Sequence, residues 1–99
     1  MDPLSRELQS FLVRMGYEGI DHATEHAMEH LVALLEPAEE EALVHYYGLF
    51  GEERRALADI AKERNEEPEA TMAAIDQSIR KIAVTPEWQM IKTSIKEEK

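Results

Sequence analysis

Three histidines, His22, His26 and His30, recur at intervals of four residues. On a helix this spacing stacks their side chains along one face. Two imidazoles one turn apart can chelate a transition metal, because each neutral ring offers a nitrogen lone pair. Glu25 and Glu29 flank the ladder. Glu25 directly precedes His26, however, so the His-Glu-x-x-His order of a zinc protease is not met. An acidic, solvated helix face produces the same pattern by chance. The expectation is therefore no metal site, with His22, His26 and His30 as the candidates to watch. His45 stands beside Tyr46 and reads as a partly buried polar residue.

No catalytic grouping accompanies the ladder. The chain has no cysteine, which excludes a thiolate zinc centre, a disulfide framework and a cysteine nucleophile. Its four glycines form no phosphate-binding loop. Ser5, Ser10, Ser78 and Ser94 have no neighbours that would activate a hydroxyl. Carboxylates are plentiful, but abundance without a cleft is no sign of acid–base work. The chain reads as a non-enzyme without a cofactor.

Its 99 residues fit one domain. Asp and Glu number 21 against 11 Lys and Arg, a net charge of -10. The imbalance lies at the front: residues 1–50 carry two basic groups against ten acidic ones, residues 51–99 nine against eleven. Such an N-terminal half cannot supply the phosphate neutralisation that drives nucleic-acid affinity. It suits a basic partner surface, or simply solubility. No apolar run reaches the length of a membrane span, and the first residues lack a signal-peptide pattern. A soluble cytoplasmic protein is expected, with no membrane contact.

Apolar residues recur with helical period throughout, and no segment alternates like a strand. Five helices are predicted, at about 2–15, 21–35, 37–47, 54–64 and 68–83, with a sixth at about 86–95. Asp2 and Asp21 are cap candidates. Pro3, Pro37 and Pro68 suit first turns. Gly16 is expected to end the first helix, and Asn65 to end the fourth in a left-handed conformation. The expected inner faces are Leu4, Leu8, Phe11, Leu12 and Met15, then Ala23, Ala27, Leu31, Leu34 and Leu35. Trp88 and Ile91 could fold the last helix back onto the core, with a frayed tail from Lys96. Met28, Met72, Trp88 and Met90 are candidate exposed apolar groups, although in a small core each is more simply a gap-filler.

The stretch from Leu35 to Ile82 carries a further pattern. Glu39-Glu40-Glu41-Ala42-Leu43 leads into Tyr46-Tyr47-Gly48-Leu49. Phe50-Gly51-Glu52-Glu53-Arg54-Arg55 opens into Ala56-Leu57-Ala58-Asp59-Ile60-Ala61, and Ile79-Arg80-Lys81-Ile82 follows. This half of the chain resembles the fourth conserved region of bacterial housekeeping sigma factors. In that family the region is a helix-turn-helix that reads promoter DNA and docks on the polymerase β-flap. The resemblance implies an all-α helical bundle containing a sigma region 4-like helix-turn-helix with an N-terminal helical extension. It would be one domain over 1–99, with N-terminal helices in 1–34, the helix-turn-helix in 35–83, and a C-terminal helix and tail in 84–99.

The likeness is weakest where the family touches bases. Ungapped alignment places Glu67 to Ala73 on the family's base-contacting turn and a half, where a serine cap, several arginines, a glutamate and a glutamine are usual. Here the surface offers Glu67, Glu69, Ala70, Met72 and Ala73, and of these Glu69 alone matches. The family's Leu-Gly-Val turn is Arg64-Asn65-Glu66. Base reading needs Arg, Lys, Asn or Gln at such positions. Arg54, Arg55, Arg80 and Lys81 remain as candidate phosphate contacts. The expected function is that of a small transcription-associated protein, acting through contact with RNA polymerase or a transcription regulator. The alternatives are a DNA-binding helix-turn-helix regulator of altered specificity, with weak DNA contact and room for a homodimer, and a metal-responsive helical protein.

Overall fold

Asp2 and Pro3 set the start of the first helix. The Asp2 carboxylate accepts the Ser5 backbone N–H at 2.8 Å, and the proline ring occupies the first turn, where no N–H is needed. The computed structural model describes residues 2–97, and their side chains through residue 94. Six helices follow one another: α1 Pro3–Glu18, α2 His22–Val32, α3 Pro37–Tyr47, α4 Leu57–Glu63, α5 Pro68–Ala83 and α6 Pro86–Glu97. The described residues contain no strand. Asp21 caps α2 through the Thr24 N–H at 3.0 Å. Glu36 and Glu39 form a reciprocal capping box on α3. Asn65 is left-handed at φ 59°, as its type suggests.

Several boundaries differ from expectation. Gly16 does not end α1; the helix runs on to Glu18 and stops at Gly19, whose φ of 76° a side chain would resist. Gly16 answers a different demand. A Cβ there would lie 2.1 Å from the Tyr47 carbonyl oxygen, so the missing side chain lets α1 approach the end of α3. α2 stops at Val32, short of Leu35, which leaves Leu34 exposed and not on the core face. Residues 52–56 precede α4 without helical structure, so α4 starts at Leu57 and not near Arg54. α6 extends through Glu97, beyond the fraying expected from Lys96; the rest of that tail, 98–99, lies outside the described residues.

α5 is the hub. α1, α3, α4 and α6 all pack on it, and α2 packs on α6. The core collects Leu8, Leu12, Met28, Leu31, Leu43, Ile75, Ile79, Ile82 and Trp88. Met28 and Trp88 are buried, in line with the simpler gap-filler reading, and Met72 is half-buried, whereas Met90 is exposed. Trp88 supplies the bulk that so few aromatic residues could otherwise give, with its ring centroid 5.7 Å from that of Phe11. Its indole N–H has no hydrogen-bond partner among the described residues, an unsatisfied donor accepted for the sake of packing. Ion pairs lace the helices at the surface: Lys92 to Glu7 at 2.9 Å joins α6 to α1, and Lys81 to Glu39 at 2.8 Å joins α5 to α3.

Candidate functional site

The turn before α5 is built from charge. Glu66 accepts from Arg64 Nε at 2.7 Å and from the hydroxyl of Thr71, also at 2.7 Å. Arg64 reaches further and donates through Nη1 to the Ala38 carbonyl at 3.1 Å, which ties the turn to the start of α3. Thr71 is fully buried, so its hydroxyl needs this acceptor. Arg64 and then Thr71 hold the Glu66 carboxyl below its ordinary range. Three residues that would be unusual in an apolar turn thus close a polar network. Sequence spacing could not supply that, because Thr71 lies five positions beyond Glu66.

The predicted recognition surface emerges from this turn. Glu67, Glu69, Ala70 and Ala73 are exposed, and Met72 is half-buried against the core. Glu67 shows no side-chain cap bond. Its acidic neighbours complement the positive end of the helix dipole, and they also present negative charge to anything approaching it. Over residues 67–73 no arginine, lysine or amide side chain is available to a base edge.

The four candidate phosphate contacts do not converge on one surface. Arg55 is bound to Glu63 through a close ion pair, which raises the arginine's already high pKa. Lys81 holds Glu39; the pairing raises the lysine pKa and lowers that of the carboxyl. Arg54 is exposed but engaged, with its guanidinium 4.0 Å from the centre of the Tyr17 ring and 3.3 Å from the Tyr47 carbonyl oxygen. Arg80 is the open one, 75% exposed on its side chain and 3.9 Å from Asp2. It borders a depression shared with Asp2 and Asp76, apart from the one that Arg54 and Arg55 line.

The sequence pattern does not announce that second depression. A cavity of about 510 Å³ opens between the end of α1, the end of α3 and the approach to α4, lined by Val13, Tyr17, Tyr46, Leu57, Arg54 and Arg55 among others. Tyr17 stands on its rim, 73% exposed. The signal was present in the four-residue spacing of Val13 and Tyr17, but ending α1 at Met15 removed Tyr17 from any helix.

The histidine ladder resolves into a pair. His26 and His30 approach with Nε2 atoms 3.2 Å apart and rings edge to face, their centroids 4.6 Å apart, on the exposed side of α2. His22 does not join them in any contact, and no group of three or more metal-ligating side chains occurs among the described residues. His45 is partly buried and lies 3.2 Å from Glu52.

Comparison of the chain with protein-family models, with curated proteins and with solved structures finds no match. Among the described residues no helix is long and apolar enough to cross a membrane.

Proposed function

We propose that this chain is a small, non-catalytic transcription-associated protein that works by protein–protein contact, with RNA polymerase or a transcription regulator as the partner. The reading rests on the sigma region 4-like pattern of residues 35–82. One observation carries the choice of protein over DNA: the exposed start of α5 offers Glu67, Glu69, Ala70 and Ala73 to an approaching partner, and no group that reads a base. Cations elsewhere on the domain add support, because Arg64, Arg55 and Lys81 already hold carboxylates. A phosphate would have to displace those partners against a net charge of -10. The groove of Val13, Tyr17, Tyr46 and Leu57, formed by the helices before α5, is the contact face this reading favours.

The test is a paired titration of the purified chain against core RNA polymerase and against promoter duplex, at about 150 mM salt. Saturable polymerase binding with no discrimination between promoter and scrambled duplex is expected. Tyr17→Glu, at the groove rim, should weaken the polymerase contact while leaving the helical circular dichroism unchanged. Tight binding to one duplex sequence, without polymerase binding, would overturn the reading and favour the DNA-binding regulator.

A further inference from the structure

We infer that His26 and His30 form a bidentate site for a single divalent transition-metal ion such as Zn2+ or Ni2+ on the last two turns of α2. The inference is independent of any role in transcription. Two nitrogens bound to one ion at 2.0–2.1 Å, at tetrahedral or square-planar angles, stand about 2.9–3.4 Å apart. The Nε2 atoms of His26 and His30 stand 3.2 Å apart, within that range. Helical spacing alone does not produce that separation, since it depends on both rings turning their Nε2 edges toward each other. The separation equally suits a hydrogen bond between the two rings, in which the ring protonated at Nε2 donates to the other, whichever tautomer that is. Chelation requires only that this ring shift its proton to Nδ1, where water accepts it, and rotate slightly to aim both lone pairs at a common point.

Two features of the surroundings favour a cation. His30 lies in the last turn of α2, where the helix dipole presents its negative end. Glu25 and Glu29 flank the pair on a strongly acidic chain. They add field without completing a coordination shell, because no third ligating side chain joins the two histidines among the described residues. Water fills the remaining positions, so the site is open and exchangeable, unlike a closed structural zinc centre. The ion would staple residues 26 and 30 of an eleven-residue helix whose end, at Ala33, lacks a left-handed cap. Metal binding would therefore raise the melting temperature of the protein.

The experiment is calorimetric titration of the tag-free chain with Zn2+ and, separately, Ni2+ at about pH 7.5, where competition from protons is small, with thermal melts alongside. One ion per chain and a metal-dependent rise in Tm are expected. His26→Gln and His30→Gln should each weaken binding by about 100-fold, since losing one arm of a chelate removes an intramolecular contact of high effective concentration. All three histidines of the ladder are exposed, so these variants should fold as the parent does, and His22→Gln should bind like the parent. Absence of stoichiometric binding, binding that survives His26→Gln or His30→Gln, or an equal loss in His22→Gln would each overturn the two-histidine site.

Discussion

The inward and outward faces of α5 are made of opposite materials. Thr71, Ile75, Ser78, Ile79 and Ile82 point into the molecule and are buried; Glu69, Ala70, Ala73, Gln77 and Arg80 point out. The inner face holds four other helices together. Even its polar members are satisfied locally, Thr71 by Glu66 and Ser78 by the Ala74 carbonyl at 2.9 Å. The outer face makes few bonds and begins with negative charge. The inner face is therefore answerable for stability, and the outer face is free to change without unfolding the protein.

The largest effect should come from the inner face. Ile79→Ala removes a fully buried side chain at the centre of the hub and leaves a void that four packed helices cannot easily close. A loss of about 2–5 kcal/mol is expected, a large share of the roughly 5–15 kcal/mol that holds a typical domain. Urea denaturation followed by circular dichroism would measure it. A loss no larger than that of an outward substitution would break the division between the faces.

Thr71→Val should cost less, because it keeps the buried shape and deletes only the hydroxyl bonded to Glu66. It also gives the comparison a pH signature. Glu66 is depressed below its ordinary carboxyl value of 4.5, and Glu39 is depressed by its bond to Lys81. The unfolded chain then binds more protons than the folded one as pH falls through that value. Stability is present in full above it and is lost as pH drops toward the folded pKa values. The parent should lose stability on acidification from about pH 5 to 3. Thr71→Val and Glu66→Gln should each flatten the part of that slope belonging to the turn. An unchanged acid slope in Glu66→Gln would detach the turn network from folding.

How far these faces were legible in the sequence follows from the range of the forces involved. Thr71, Ile75, Ile79 and Ile82 announce themselves by spacing, since periodicity records which side of a helix faces the core. The caps at Asp2 and Asp21 and the turn at Asn65 were equally legible, because each is a local backbone matter. Gly16 reads as a helix stop in the sequence because its purpose, clearance for the Tyr47 carbonyl, lies 31 positions away in the chain. Met28 and Trp88 are buried, as their reading as core gap-fillers expects; which elements cover them, Phe11 of α1 over Trp88 for one, depends on the packing of separate helices and is not legible within either segment. At the surface, the sequence supplied the cations but not their partners. That Lys81 lies against Glu39 and Arg55 against Glu63 depends on how α3, α4 and the chain before α4 are placed.

Ala73→Gly separates the two kinds of cost on one helix. The methyl group is exposed, so its removal opens no cavity. What remains is the backbone entropy of glycine within a helix, about 0.5–1 kcal/mol. A loss approaching that of Ile79→Ala would mean that Ala73 is covered, by a second copy of the chain for example. Repeating the melt over a range of protein concentrations would detect such a contact as a concentration-dependent Tm.

The smallest effect on folding, and the most telling for function, belongs to Glu67→Arg combined with Ala70→Arg. Both positions are exposed at the start of α5, and stability should move by no more than about 0.5 kcal/mol, as for surface changes elsewhere. The helix dipole opposes the new charges slightly. Binding to nucleic acid should respond far more. Two arginines replace a negative and a neutral group at the exposed start of α5, so non-specific affinity should rise. Its dependence on salt should steepen by up to about two in the logarithmic slope, close to one for each added phosphate contact. Sequence discrimination should stay poor, because an arginine reads a guanine only from a register fixed by other backbone contacts. Two of the four candidate cations are already paired, Arg55 with Glu63 and Lys81 with Glu39. Fluorescence anisotropy with promoter and scrambled duplexes, from about 50 to 200 mM salt, distinguishes the outcomes. Equal gains on both duplexes support an outer face that is not arranged for base reading. A gain confined to the promoter duplex would mean that the scaffold holds DNA in a fixed register, and would favour the DNA-binding regulator over the protein-contact reading.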